Sequence, residues 1–207
     1  MEQIKKVFEK NIENNVDLLF FHNKDKNKCE YCNKMLELLK EIANIDKRIV
    51  LTVKDIEKNR KEAQLLNIDN APALILNGEI KYNLYYFGIP IGFEFPALIN
   101  DIIDVSRGKT NLSDRAKEKV NSIKKEIDIK VFVTPTCPYC SNVVRLAHQF
   151  SIENQLIKSS MIEAVEFNDL ANKYEVMGVP KVVINDSVSF EGSVSEERFV
   201  DYLLKTM

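Results

Sequence analysis

The sequence predicts an α/β chain built from two tandem copies of one unit, residues 1–110 and 111–207. Three observations carry this. The four cysteines fall in two Cys-x-x-Cys pairs, Cys29/Cys32 and Cys137/Cys140, offset by 108 residues. Pro72 and Pro180 are offset by the same 108, so each second cysteine is followed 40 residues later by a proline. The order of apolar periodicities around these landmarks is repeated as well, the signature of an internal duplication.

Each unit opens with an amphipathic helix, over residues 2–11 and 113–125. A short apolar run follows, at 16–21 and 129–133, and reads as a buried strand. Each cysteine pair then leads into a helix: Cys32, Met35, Leu36, Leu39 and Ala43 share one face, as do Cys140, Val143, Val144 and Ala147. Strands are expected at 49–53 and 162–167, then helices leading up to the prolines. Ala71-Pro72-Ala73-Leu74-Ile75-Leu76 matches Val179-Pro180-Lys181-Val182-Val183-Ile184. Two strand-like segments and a closing helix end each unit, the helices over 95–105 and 195–204. Pro96 suits a first helical turn, and Ser193-x-x-Glu196 resembles a capping box. The polar stretch 106–112 contains Gly108 and marks the boundary. It is short, so the two units are expected to pack together.

Composition removes several function classes. The 207 residues carry a net charge of -2 with scattered basic residues, so neither nucleic acid nor an anionic membrane is an expected partner. No segment approaches the roughly 18 to 20 apolar residues of a membrane span. The N-terminus is charged and lacks the apolar core of a signal peptide, so a cytoplasmic location is expected. In that compartment, cysteines confined to close pairs point to chemistry or metal rather than to staples.

A Cys-x-x-Cys turn opening a helix closes into a small disulfide loop when oxidised. When reduced, its first thiol sits at the helix N-terminus, where backbone N–H groups and the helix dipole stabilise the thiolate. Cys29 or Cys137 would then attack a substrate disulfide, and Cys32 or Cys140 would release the product. Pro72 and Pro180 can adopt cis peptides that bring backbone beside each pair, so that a substrate strand pairs with Ala71 or Val179. Zinc held by the four thiolates is the competing reading, although zinc pairs usually stand roughly 12 to 20 residues apart. Here the pairs are separated by 104 residues. His148 reads as a helix-surface or packing residue. Tyr82, Tyr85, Tyr86 and Phe87 read as strand and core surface, with the lining of a peptide groove as the second option. Lys28 adjoins Cys29 and is a candidate to steady its thiolate, whereas Glu30 within the pair opposes thiolate formation.

Thr136-Cys137-Pro138-Tyr139-Cys140 resembles a glutaredoxin active site. The whole chain resembles the glutaredoxin-like protein disulfide oxidoreductases of thermophilic archaea and bacteria. The most distinctive stretches are Val131 to Cys140, Met177-Gly178-Val179-Pro180-Lys181, and Phe87-Gly88 through Asp104-Val105-Ser106-Arg107. The resemblance implies two packed thioredoxin-like domains, each a central mixed β-sheet flanked by helices. It implies reduction, oxidation and isomerisation of protein disulfides by Cys29, Cys32, Cys137 and Cys140, with Pro72 and Pro180 the other positions that match the family motif. It further implies no bound cofactor and no metal, with electrons coming from NADPH through a flavin-containing thioredoxin reductase. A related arrangement is the N-terminal part of the flavoprotein that reduces a peroxiredoxin. That arrangement keeps one cysteine pair and continues into a flavin domain, so the presence of both pairs favours the first family. A dedicated electron carrier between a reductase and a peroxiredoxin is the alternative within redox chemistry, and a zinc-binding module the alternative outside it. Two departures matter. Val131 is apolar where thioredoxins bury an acid, and Gly178-Val179-Pro180 with Glu191-Gly192-Ser193 departs from the glutathione-binding segments. Glutathione is therefore not an expected obligatory partner.

Overall fold

The computed structural model describes residues 2–206. One order of elements occurs twice along the chain. The first half contains α1 (Glu2–Asn11), β1 (Val16–His22), α2 (Cys32–Ala43), β2 (Ile49–Asp55), α3 (Arg60–Leu65), β3 (Ala73–Asn77), β4 (Leu84–Phe87) and α4 (Phe95–Arg107). The second contains α5 (Asp114–Asn121), β5 (Ile127–Val133), α6 (Cys140–Glu153), β6 (Ile157–Glu163), α7 (Asn168–Lys173), β7 (Lys181–Ile184), β8 (Val188–Glu191) and α8 (Glu196–Leu204).

The strands form a single mixed sheet in the order β2-β1-β3-β4-β6-β5-β7-β8. Within each half, the first two strands run parallel and the last two antiparallel. The halves join where β4 pairs in parallel with β6, from Leu84 opposite Ser159 to Phe87 opposite Ile162. Two edges that would otherwise expose unpaired backbone thus satisfy one another. One continuous core runs through both halves, from Phe8, Leu18 and Phe20 through Tyr86 and Leu98 to Val144, Phe150 and Phe199. Two smaller apolar clusters lie around Phe21–Ile75–Tyr85 and around Phe132–Ile162.

Most expected elements fall where the periodicity placed them, with three differences. The strand expected at 162–167 is β6, Ile157–Glu163. Ser159 and Ser160 are buried in it, and a buried strand with small polar residues does not read as an apolar run. Helix α5 stops at Asn121 instead of 125, because Ser122 folds back on Lys119 and Ile123 turns into the core. Helix α8 is capped by Ser195, which accepts the Arg198 N–H, and not by a Ser193 capping box. Glu196 reaches Ser113 at the cap of α5 instead, with Oε1 2.5 Å from the hydroxyl.

Candidate active site: two cysteine pairs beside two cis-prolines

Both cysteine pairs are closed as disulfides, with Cα atoms 5.4 Å apart for Cys29–Cys32 and 5.5 Å for Cys137–Cys140. In each, the helix begins at the second cysteine, and the cap residue (Tyr31 or Tyr139) offers no side-chain bond to the first helical N–H groups. Those N–H groups and the dipole behind them are therefore free to act on a thiolate. All four sulfurs sit at the edge of the interior: Cys29 and Cys137 are 5% and 8% exposed, Cys32 and Cys140 2% and 0%. The first cysteine of each pair is the more accessible, as a nucleophile followed by a resolving thiol requires.

The peptides Ala71–Pro72 and Val179–Pro180 are both cis. Ala71 packs in one cluster with Cys29 and Cys32, and the Val179 carbonyl oxygen lies 3.7 Å from Cys137 Sγ. The structure thus brings each cysteine pair to the residue before its proline, across 42 residues of chain. Lys28 turns away to an exposed ion pair with Glu57, with Nζ and Oε1 3.2 Å apart. What meets the first pair instead is Asn23, whose N–H donates to Cys32 Sγ at 3.2 Å.

Between α3 and α7 the joint of the sheet is left open as a cleft of about 1060 Å³, running from Lys28, Ala71 and Glu166 over Tyr85 and Lys158. Strand alternation divides the tyrosine cluster. Tyr85 and Phe87 line the cleft, with Lys158 Nζ 4.7 Å above the Tyr85 ring, whereas Tyr86 is fully buried on the other face.

There, Tyr86 joins a buried network between α4 and α6. Asp101 accepts hydrogen bonds from the Tyr86 hydroxyl and the Arg145 guanidinium, and lies 2.6 Å from His148 Nδ1. Arg145 also reaches Asp104 at 2.6 Å, as does Gln149 at 3.0 Å. His148 is fully buried, so of the two expected settings, helix surface or packing, it takes the second. Burial pushes the Asp101 carboxyl up, but the charges of Arg145 and His148 outweigh it and hold it below its ordinary range.

Glu94 is not singled out in the sequence, yet the fold gives it an unusual setting. It is 1% exposed, and neither carboxylate oxygen has a partner among the described residues. Burial, then the charge of Asp101, pushes its pKa up to about 8. The 3₁₀ turn that carries it (Gly92–Glu94) packs against α6 and is tied to the loop before Cys137 by Phe93 N–H to Pro135 O at 3.2 Å. Gly92 has φ +64, and a Cβ there would stand 2.2 Å from the Pro135 oxygen, so only glycine allows this approach. Glu94 is thus buried on a turn of the first half that packs against α6, the helix that Cys140 opens. A signal existed: it is the one charge in the apolar run 82–99.

Among the described residues, no group of three or more His, Cys, Asp or Glu side chains is placed to hold a metal ion, and no helix is long and apolar enough to cross a membrane.

A family model described as a thioredoxin domain matches residues 127–205. The protein disulfide oxidoreductase of Aeropyrum pernix K1 superposes with a TM-score of 0.90 at 31% identity, over 98% of this chain and 89% of that one. The chain belongs to the protein disulfide oxidoreductase family. Its tandem thioredoxin folds also superpose on the N-terminal domain of alkylhydroperoxide reductase AhpF from Enterococcus faecalis, with a TM-score of 0.89 at 22% identity over 98% and 96% of the two chains. Among curated proteins, an alkyl hydroperoxide reductase from Staphylococcus aureus is 27% identical over 184 residues, 89% of this chain and 33% of that protein. A protein named NADH dehydrogenase from Ferdinandcohnia aciditolerans is 26% identical over 171 residues, 82% of this chain and 30% of that protein. The chain thus spans about a third of the length of the curated relatives it matches.

Proposed function

We propose that this oxidoreductase catalyses thiol–disulfide exchange on protein substrates through both cysteine pairs, one in residues 1–110 and one in 111–207. The observation that carries the reading is the twofold juxtaposition of a helix-opening disulfide with a cis-proline. In the reducing direction, the Cys29 or Cys137 thiolate attacks one substrate sulfur, and the other leaves as a thiolate. Cys32 or Cys140 gives up its proton and attacks the mixed disulfide, which closes the enzyme disulfide and releases the second substrate thiolate. Two electrons pass from the enzyme dithiol to the substrate, and the reverse sequence oxidises a dithiol. Two pairs on one chain also allow a substrate to be held and reshuffled. Backbone at Ala71–Pro72 and Val179–Pro180 would align the substrate as an added strand. We assign the supply of electrons to NADPH through a flavin-containing thioredoxin reductase, and the site of action to the cytoplasm.

The fold shared with the alkylhydroperoxide reductase domain favours one second reading, a carrier that hands electrons from a reductase to a peroxiredoxin. Turnover of insulin with dithiothreitol, set beside peroxide consumption with a peroxiredoxin, separates the two. Insulin reduction with two reducible disulfides per chain supports the exchange reading. Activity on the peroxiredoxin alone would replace it with the carrier.

A further inference from the structure

The two cis-prolines are not held alike. At the first, the N–H of Gly88 donates to Pro72 O at 3.1 Å, and at the second the N–H of Gly192 donates to Pro180 O at 2.8 Å. Around Gly192 a Cβ would meet nothing within 4 Å. Around Gly88, with φ +97, it would stand 2.5 Å from Glu163 Cβ and 3.0 Å from Glu166 Oε1. The end of β6 and the turn after it, both from the second half, are therefore pressed against the first half's proline loop. The contact is polar as well as tight. Ile89, next to Gly88, donates its N–H to Glu166 Oε1 at 2.7 Å, and the Glu166 N–H donates to Glu163 Oε2 at 2.6 Å. A bonded path thus runs from Glu166 through Ile89 and Gly88 to Pro72, whose neighbour Ala71 packs on Cys29 and Cys32. Glu163 Oε1 and Glu166 Oε2 are buried without partners among the described residues. Placing carboxylates so is unfavourable unless a bond offsets the desolvation, and the bond made here is the one to Ile89.

We propose that Glu166 is a positioning residue of the first cysteine pair, reaching it from the second half to hold the Pro72–Gly88–Ile89 contact against which an extended protein substrate is aligned. The inference rests on the reading that this pair exchanges disulfides with proteins. It gives the first site a pH response that the second lacks. The charged groups facing Glu166 are Glu163 on β6, Glu30 between the first two cysteines and Lys34 on α2. Burial pushes the Glu166 pKa up to about 7; the Ile89 N–H and Lys34 pull it down, and Glu163 and Glu30 push it up. As pH rises through that value the carboxyl ionises, its bond to Ile89 becomes charge-assisted and the proline loop is held more firmly. KM for a protein substrate at the first pair therefore falls from pH 6 to pH 8.

The test uses the full chain with Cys137→Ser and Cys140→Ser, so that only the first pair turns over. Insulin serves as protein substrate, oxidised glutathione as a small disulfide needing no strand alignment, and dithiothreitol as reductant. Glu166→Ala is expected to raise KM for insulin about tenfold, the size of one charge-assisted hydrogen bond, with kcat and the glutathione rate within about twofold. Glu166→Gln keeps an acceptor for Ile89 and should restore KM to within about threefold at pH 8, while flattening its pH dependence. Glu166→Ala in the converse chain (Cys29→Ser, Cys32→Ser) should leave KM unchanged. The inference is overturned if Glu166→Gln retains the parent's pH dependence, if Glu166→Ala slows insulin and glutathione alike, or if both pairs respond equally. Should Glu166→Ala not fold, the pH arm of Glu166→Gln decides alone. If the first-pair chain with Glu166 intact does not reduce insulin, the functional reading of that pair fails, and the inference with it.

Discussion

The two cysteine pairs share a backbone plan and differ in almost everything around it. The first lies in a small apolar cluster with Ala71 and Tyr85; the second is built into the main core. Acids collect near the first: Glu30 in the loop, with Glu163 and Glu166 across the joint. The second has neutral Pro138 and Tyr139 in the loop, and the turn carrying Glu94 packs against the helix that Cys140 opens. The surfaces leading to the prolines differ too. Asp69 and Asn70 precede Ala71, whereas Met177, 91% exposed, and half-buried Val179 lead into Pro180, and Tyr139 in the second loop is exposed. Neighbouring carboxylates disfavour a thiolate, and an exposed apolar ledge favours a protein partner. The contrast predicts a division of work, with the second pair carrying most of the reduction.

The largest test of that contrast is removal of the first cysteine of each pair. Cys137→Ser should abolish turnover at its site, a loss of about 10³-fold or more, and take the greater share of insulin reduction with it, while Cys29→Ser takes the lesser. Equal losses, or a larger loss from Cys29→Ser, would break the comparison. Next in size is the network that clamps α4 of the first half to α6 of the second. Asp101→Ala leaves the buried His148 without its carboxylate and takes from Arg145 one of its two, and should lower stability by about 3–5 kcal/mol, read from urea unfolding. Loss of a single cooperative transition in that variant would show that this network makes the halves one body.

Glu94 sharpens the comparison through pH. Its carboxyl, buried on the turn that packs against α6, keeps its proton to about pH 8. The same raised pKa sets the sign of the stability change. The native chain holds this proton until about pH 8, whereas the unfolded chain loses it near the ordinary 4.5. Between those values the native state binds more protons, so this group's contribution falls as pH rises, by at most about 1.4 kcal/mol per pH unit, and levels off above. Glu94→Gln removes that slope and should be more stable than the parent at pH 8, a difference that shrinks toward pH 5. The smallest expected effect is at the apolar ledge. Met177→Asp should raise KM for insulin at the second pair by about fivefold, roughly 1 kcal/mol of lost apolar contact, without altering the rate on oxidised glutathione.

The duplication, the cysteine pairs, the prolines and most helices and strands were legible in the sequence because each rests on short-range spacing: i, i+3 for a pair opening a helix, period 2 or 3.6 for a buried face. The element that read wrongly, β6, failed because Ser159 and Ser160 are polar and buried at once. Capping at Ser193 failed because Glu196 finds its partner in Ser113, 83 residues away. The site divided in the same way. Its cysteines and prolines are local signals, and only their juxtaposition needed the fold. Its acids are weaker signals: Glu94 is marked only as the lone charge in the apolar run 82–99, and Asp101 and Glu166 look like ordinary surface charges on a line of letters. Local spacing alone specified two units, each with a cysteine pair and a proline. Long-range packing set the rest: β4 meets β6, Glu94 is buried on a turn against α6, and Glu166 bonds Ile89 across 77 residues beside the first pair. The reason is physical: burial and the partners of a polar group depend on what packs over it, and here each half is covered by the other.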